Sequence, residues 1–480
     1  MQLSSIWPPV HRSAACPQNF TKRGCYHRVL PKSSSKHAIL AALVIAGVFL
    51  YFAGDGLRAY FTPDEMMNFY GAWFRPLLGS RRPVGDLLYR GIFAVWGLNP
   101  LPYRLVCYSL LGANLALIYA FCRKLSGSSE VGALACLLGA YHAHLADLYY
   151  SSDTLYDLLY FFFYFSVLLL YIAVRHRRWQ WQLPVLALFV LALGSKEMAA
   201  TLPVFLVLYD LIYDPRPRTA SGSLRWAARE LKRLWPFALA TVGLIVLKTM
   251  GPLRVTGNSD FLPRFSWPFL INNWKHYAYD LFYGLVEFTP FRVILLWAIL
   301  LATALLLRKR DLWFAAALIL IGILPVALIP ERGFYAVYLI LPGWYLFGAE
   351  ILVTARDRLL AERFATRPAL LFALVAVCLI PLHLREKPKG MTWVAEAHES
   401  VRGTLQPLRA ETVPKSGKVL ILDDPFPKED YILTFMFRLT FRDEDIQVRR
   451  AKSPFLPADG EFYDRVFTYS GWRLKPVASP

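Results

Sequence analysis

Acidic residues are scarce in this chain: 34 Asp and Glu stand against 53 Lys and Arg in 480 residues, for a formal net charge of +19. In a soluble protein that excess would point to nucleic acid. Here 56% of the residues are hydrophobic, 15% aromatic and only 18% charged, which is the composition of a polytopic membrane protein, and much of the basic excess lies in short segments between apolar runs, where topology accounts for it. Nucleic-acid binding is therefore set aside. The six cysteines form no metal-ligand pair: Cys107, Cys122, Cys136 and Cys378 lie in or at the ends of apolar segments, and Cys16 and Cys25 in a basic N-terminal stretch. Neither a zinc site nor a disulfide framework is expected. A solenoid repeat, a phosphate-cradling glycine loop and a nucleophile elbow are also missing. No cofactor is implied, and a divalent metal finds no support in the residue pattern.

What is present is an apolar stretch, Trp181 to Tyr213, with Lys196 and Glu197 at its middle. Arg175, His176, Arg177 and Arg178 precede it and Arg216 and Arg218 follow it, so the positive-inside rule puts both ends in the cytoplasm. The chain must enter and return. Its 33 residues give roughly 50 Å of helix, short of the roughly 60 Å that two crossings of a 30 Å core require. The turn is therefore recessed. A Lys or Asp at the centre of an isolated span costs about 2.5 to 3.5 kcal/mol, and irregular backbone at that depth is tolerated only beside protein or a water-filled cavity. An outward-facing polar cavity lined by Lys196 and Glu197 is expected.

The same charge rule orders the rest of the chain. Residues 1–36 carry Arg12, Lys22, Arg23, Arg28, Lys32 and Lys36 with no acidic residue and read as a disordered cytoplasmic tail. A first span over His37 to Ala53 reads as an anchor rather than a removed signal peptide. An outer loop with an amphipathic piece at Leu87 to Trp96 follows, then spans over 101–122, 130–149 and 154–174, the recessed pair, and spans over 235–250, 291–307, 312–329, 334–354 and 368–383. Inner charges recur at Arg123 and Lys124, at Arg308, Lys309 and Arg310, and at Arg356, Arg358, Arg363 and Arg367. The expected fold is a polytopic α-helical membrane protein of about eleven spans with its C-terminus outside. From Leu384 onward long apolar runs give way to Pro, Gly and charge, so 384–480 reads as a separate extracytoplasmic α/β domain, with strands at Lys418 to Leu422, Ile446 to Val448 and Val466 to Tyr469 and a helix over Tyr431 to Phe441. Asp423 and Asp424 read as turn residues after a strand.

By parity, four outer connections bring charge together: Asp64 and Glu65 after the first span; His142, His144, Asp147, Ser151, Ser152 and Asp153 between the third and fourth; Lys196 and Glu197 at the recess; and Glu331 with Arg332 at a later turn. Taken singly, each pair also reads as ordinary loop solvation or an interfacial ion pair. A hydroxyl attacking an anomeric carbon needs a carboxylate to accept its proton, and a phosphate leaving group needs cations. Asp with Lys and Arg is the smallest set that meets both needs. A polyprenyl chain would further need a lipid-facing groove, which the Phe/Tyr-rich segment 156–171 and the spans around it offer, although residue by residue that segment reads first as ordinary lipid-facing or packing surface.

In order and topological placement, the acidic pair Asp64-Glu65, His142-Ala143-His144 before Ser152-Asp153, Ser195-Lys196-Glu197-Met198 ahead of Leu202-Pro203, and Glu331-Arg332 before Tyr335 resemble the GT-C membrane glycosyltransferases. Within them the chain is most similar to the protein O-mannosyltransferase and related bacterial branch, over residues 40–355. The resemblance implies a GT-C-like catalytic domain over 37–383 and transfer, with inversion, from a polyprenyl-phosphate sugar to an extracytoplasmic protein, glycan or lipid acceptor. It further implies Asp64 as general base with Glu65 beside it, Lys196 and Arg332 near the donor phosphate, and Asp153, Glu197, His142, His144 and Glu331 in support. A bacterial inner membrane is the expected location. A transporter or lipid flippase would also carry a broken helix pair and midplane charges, but no matching interrupted pair is evident in the C-terminal half. A catalytically silent scaffold would tolerate loss of the charged outer residues. On the parity argument, Lys415→Cys should react with a membrane-impermeant thiol reagent applied from outside, and labelling from the cytoplasm alone would overturn the topology.

Overall fold

The computed structural model describes residues 35–214, 220–250, 262–359, 368–427, 431–452 and 462–477. The basic tail lies outside these, apart from its last two residues. The chain opens with α1 (Ser35–Ala53), α2 (Pro63–Phe74), α3 (Pro83–Trp96), α4 (Pro100–Ser126), α5 (Ser129–Leu138), α6 (Ala146–Tyr150) and α7 (Leu155–Val174). It continues through α8 (Gln182–Ser195), α9 (Leu202–Tyr213), α10 (Ala220–Thr249), α11 (Trp267–Leu281), α12 (Pro290–Leu307), α13 (Arg310–Gly322), α14 (Leu324–Ala327), α15 (Leu341–Leu359) and α16 (Pro368–Leu408). Among the described residues seven helices are long and apolar enough to cross a membrane, or eight if one sharply bent pair counts as a span. The chain is thus an integral, multi-pass membrane protein; of the other segments expected as spans, 130–149 and the recessed pair are broken, and 235–250 lies almost wholly within the continuous, more polar α10.

Local chemistry sets the breaks. The segment expected as one span over 130–149 is instead α5 and α6 with a 68° bend between them. At the break Gly139 packs so closely on the Tyr345 ring that a Cβ would lie 2.8 Å from it. At the recess, Ser195 bonds its own helix through Oγ to the Leu191 carbonyl (2.8 Å), Lys196 is fully extended, and a single tight turn over Glu197–Thr201 leads into Leu202-Pro203. Helices α8 and α9, of 14 and 12 residues, span roughly 21 and 18 Å, so neither crosses a 30 Å core. Polar backbone stranded there is met by side chains: Thr201 Oγ1 donates to the Met198 carbonyl (2.9 Å) and pairs with the Tyr164 hydroxyl (3.2 Å).

Two expectations need correction. Segment 156–171 is not a lipid-facing groove: two thirds of α7 is enclosed by protein, and Tyr156, Tyr160, Phe161, Tyr164, Phe165 and Tyr171 are buried against α4, α8 and their neighbours. Aromatic bulk here fills the centre of the bundle. Nor does the chain break at Leu384; α16 runs unbroken from Pro368 to Leu408 through Pro381, Pro388 and Pro407, so the loss of apolar residues after 383 does not end the helix. Beyond it lie β1 (Lys418–Leu422), α17 (Ile432–Phe441), β2 (Gln447–Ala451), β3 (Arg465–Ser470) and β4 (Arg473–Pro476). The sheet order is β2-β1-β3-β4, with β1 parallel to both neighbours and β4 antiparallel to β3.

This small α/β unit is seated on the membrane helices. Phe435 of α17 stacks on Tyr70 of α2 (centroids 4.3 Å apart), Arg438 donates to the Tyr70 hydroxyl (2.9 Å), and that hydroxyl donates to Glu444 (3.1 Å). After α1, Gly56 lies against the Tyr149 carbonyl and the Tyr108 hydroxyl, where a Cβ has no room. Because backbone carbonyl cannot yield as a side chain can, Gly56→Ala should destabilise the protein by about 1–3 kcal/mol, read as a lower melting temperature of the detergent-solubilised protein.

Candidate active site

Thr62 and Glu65 form a capping box at the start of α2, and that box sets the geometry of the candidate site. Glu65 is fully buried. Its Oε2 accepts from the Thr62 amide (2.6 Å), Thr62 Oγ1 (3.2 Å) and Arg104 Nη2 (3.1 Å), while its Oε1 pairs with Arg104 Nη1 (3.1 Å) and accepts from the Ser152 amide (2.9 Å) and hydroxyl. A carboxylate so fully engaged is a structural anchor, with no lone pair turned to a substrate. The same turn is tied by Thr62 Oγ1 to Ser151 Oγ (3.0 Å) and by Asn68 Nδ2 to the Asp153 carbonyl (3.4 Å). Asp64, one residue earlier and about 100° round the helix, is exposed. Tying down Glu65 therefore aims Asp64 out of the helix start, within electrostatic range of both Asp147 and Asp153.

Asp153 has its Oδ1 buried with no hydrogen-bond partner among the described residues. Burial first, then the neighbouring Asp147, with smaller contributions from Glu65 and Asp64, push its carboxyl well above the usual carboxylate range, against the opposing bond from Ser151. Tyr335 is the meeting point. Its hydroxyl feels Asp157, Asp153, Asp147 and Arg332, and the Lys196 ammonium lies 5.5 Å from its ring centroid. Residues from α2, α6, the loop before α7, α7 itself, the recessed turn and the 331–335 segment thus converge at the end of the bundle that carries the α/β unit.

Lys196 does not pair with Glu197; it makes its ion pair with Asp157 of α7, both nearly enclosed. Glu197 turns the other way and is held by Arg82 (3.0 Å) and by Lys248 of α10 (3.0 Å). Arg82 also lies over the Tyr156 ring at 5.0 Å, and Arg81 is within electrostatic range of Lys248. Around the recess, then, the basic side chains Arg82, Lys196 and Lys248 face the carboxylates Asp157 and Glu197, and Asp86 joins them through the Tyr156 hydroxyl beneath Arg82. Sequence reasoning passed over Arg81, Arg82, Lys248 and Asp157. Each carried a signal: the two arginines fall in a connection expected on the outer side, where basic residues are disfavoured, and Asp157 sits inside an apolar run.

The two histidines divide. His142 is buried, stacked on Tyr283 (4.1 Å) and Phe334 (4.9 Å) with Nε2 on the Leu281 carbonyl (3.2 Å); it packs rather than reacts. His144 bonds Asp280 (3.1 Å), which also meets His276 (3.4 Å), and His276 in turn holds Glu331 (2.8 Å). Glu331 therefore has a histidine partner on α11, an element not anticipated from sequence. Arg332 is positioned by its amide, which donates to the Tyr277 hydroxyl (3.2 Å). Cys107, Cys122, Cys136 and Cys378 are free thiols. Among the described residues no group of three or more His, Cys, Asp or Glu is arranged to hold a metal ion.

Removing one partner of a fully buried ion pair typically costs about 3–5 kcal/mol. Glu65→Gln should therefore lower yield and melting temperature sharply, while Asp64→Asn should melt like the wild type; the reverse pattern would exchange the two roles.

The sequence model of a family described as dolichyl-phosphate-mannose-protein mannosyltransferase matches residues 80–250. That stretch holds Arg81, Arg82, Asp147, Asp153, Asp157, Lys196, Glu197 and Lys248, while Asp64, Arg332 and Tyr335 lie outside it. No curated protein matches the chain significantly in sequence. Among solved structures, ArnT from Cupriavidus metallidurans bound to undecaprenyl phosphate is similar, with 13% identity and a TM-score of 0.48 over 85% of this chain and 86% of that one, a likeness too distant to assign a role to any residue here. Over residues 80–250, then, the chain is similar to the dolichyl-phosphate-mannose-protein mannosyltransferase family.

Proposed function

We propose that the chain moves a sugar from a polyprenyl-phosphate-linked donor to an acceptor hydroxyl on a protein, glycan or lipid, with inversion at the anomeric carbon. One juxtaposition carries this reading: a half-shielded group of carboxylates, Asp64, Asp147 and Asp153, shares the Tyr335 neighbourhood with Lys196 and Arg332. The family whose model matches is described by a dolichyl-phosphate-mannose donor and a protein acceptor, which supports the donor class. Asp64 accepts the proton of the acceptor hydroxyl as its oxygen bonds to the anomeric carbon. The bond from that carbon to the donor phosphate oxygen breaks with its electron pair, and Lys196, Arg332, Arg82 and Lys248 stabilise the phosphate that leaves.

The donor's hydrocarbon tail has a route other than the aromatic helix. Ile245, Val246 and Leu247 of α10 are exposed and lead along the helix to Lys248, so an isoprenoid chain lying on them delivers its phosphate to the basic recess. Placement of the site on the extracytoplasmic face, with the N-terminus in the cytoplasm, is supported by the basic clusters at the opposite end of the helices, Arg175 to Arg178 and Arg308 to Arg310.

Mass spectrometry of cell-envelope glycans and glycoproteins with and without the gene is the decisive assay; an unchanged profile would overturn the proposal. In the purified enzyme, Asp64→Asn keeps the shape and removes the base, and should cut turnover at least about a hundredfold with donor binding little changed. Near wild-type transfer would move the role to Asp153. Lys196→Met, Lys248→Met and Arg332→Gln should each weaken donor use by roughly tenfold or more, and a set of folded variants with unchanged kinetics would sink the phosphate assignment.

A further inference from the structure

A second concave site lies about 20 Å from the recess, at the far end of α3, taking 1.5 Å per residue along its length. It is a cleft of about 300 Å³ between the membrane helices and the α/β unit, lined by Phe93, Trp96, Asn99, Arg409, Leu439 and Arg442 among others. The two arginines are exposed and come from different elements, the end of α16 and the end of α17. Each spends one nitrogen on backbone: Arg409 Nη2 donates to the Leu98 carbonyl, and Arg442 Nη2 to the Phe93 carbonyl (3.4 Å). A guanidinium has five N–H donors in a fixed fork, so most of this capacity remains for a ligand. Arg442 is further steadied over the rings of Trp73 (5.4 Å) and Phe93 (5.3 Å). Among the described residues no acidic side chain lines the cleft.

Gly97 explains how the space stays open. It ends α3 at a φ of +54°, and a side chain there would project towards Arg442, 3.7 Å from its Nη2. Asn99 caps the first turn of α4, accepting from the Leu101 amide (3.2 Å), so the cleft sits where a spanning helix meets the membrane surface. Directly below it Leu101 and Leu105 are half exposed, and Val95 and Trp96 flank it, 69% and 52% exposed. A basic cup at the interface with an apolar track running down from it fits an amphiphile.

We propose that this cleft binds the anionic phosphate headgroup of a membrane lipid, with the acyl chains lying along Leu101 and Leu105 of α4. Phosphate oxygens receive the unused donors of Arg409 and Arg442, which match a phosphate in geometry as well as charge. The bound lipid ties α3 and α4 to the α/β unit, whose arginines supply the charge.

Native mass spectrometry of the full-length protein in detergent tests this, with phosphatidylglycerol, phosphatidylcholine and inorganic phosphate as probes. Phosphatidylglycerol should be retained at least about tenfold better than phosphatidylcholine, and Arg409→Gln with Arg442→Gln should abolish the preference. Asn99→Asp decides the matter should the arginine pair fail to fold, since Asp caps a helix as well as Asn does while setting a like charge in the cleft; it should lose the preference at an unchanged melting temperature. Equal retention of both lipids, an undiminished preference in folded Asn99→Asp, or displacement of phosphatidylglycerol by inorganic phosphate at concentrations on the order of millimolar would each overturn the proposal, the last by showing a free-phosphate site.

Discussion

The buried Glu65–Arg104 pair is the constraint on which the arrangement at this end of the bundle depends. Two fully buried charges are costly to remove from water, and they persist where partners meet most of their lone pairs and donors. Glu65 meets that condition by collecting the amide of its own N-cap, the guanidinium of α4, and the amide and hydroxyl of Ser152. Three segments far apart in sequence are thereby fixed to one carboxylate. Arg104 extends the lock through the Ala59 carbonyl (3.3 Å) and the Tyr60 carbonyl. Asp64 inherits its position from this lock: a helix start that cannot rotate cannot move the residue that projects from its first turn.

The recess applies the same electrostatic logic at membrane depth, with a different outcome. Broken backbone and charge are tolerated there only when neighbours supply partners, and Lys196, Glu197, Arg82, Lys248 and Asp157 supply one another. Unlike the Glu65 lock, this set is spread over several pairs, with Lys196 on Asp157 and Glu197 shared between Arg82 and Lys248, and Asp86 joins it through the Tyr156 hydroxyl.

The recessed turn was legible in the sequence because length and charge alone demand it: the stretch from Trp181 to Tyr213 is too short for two crossings and too charged at its centre for one. The strand at Lys418 to Leu422 was read to the residue, since a short buried strand between turn residues has no competing period. Pairing was not legible. Lys196 and Asp157 are 39 positions apart, and nothing local connects them; adjacency instead suggested Lys196 with Glu197, which an extended residue between two helices points in opposite directions. Adjacency misled again at Asp64 and Glu65, where a step of about 100° on a helix separates an exposed carboxylate from a fully buried one. The aromatic run of α7 was ambiguous for a related reason, because a helix apolar on all sides looks the same from sequence whether lipid or protein surrounds it.

The α/β unit bears on the chemistry through α2. Its helix α17 grips Tyr70 and, through Arg442, Trp73, which lie on the helix that begins with Asp64, while Arg402 of α16 lies over Tyr60 at 5.2 Å just ahead of it. Within one helix the backbone hydrogen bonds make a displacement at Tyr70 a displacement at Asp64, since the two are less than two turns apart. Glu65 fixes this helix from the membrane side and α17 fixes it from the other. A carboxylate poised between two such clamps is held by the α/β unit as well as by the membrane helices, so seating of the α/β unit and alignment of the candidate base are a single structural variable.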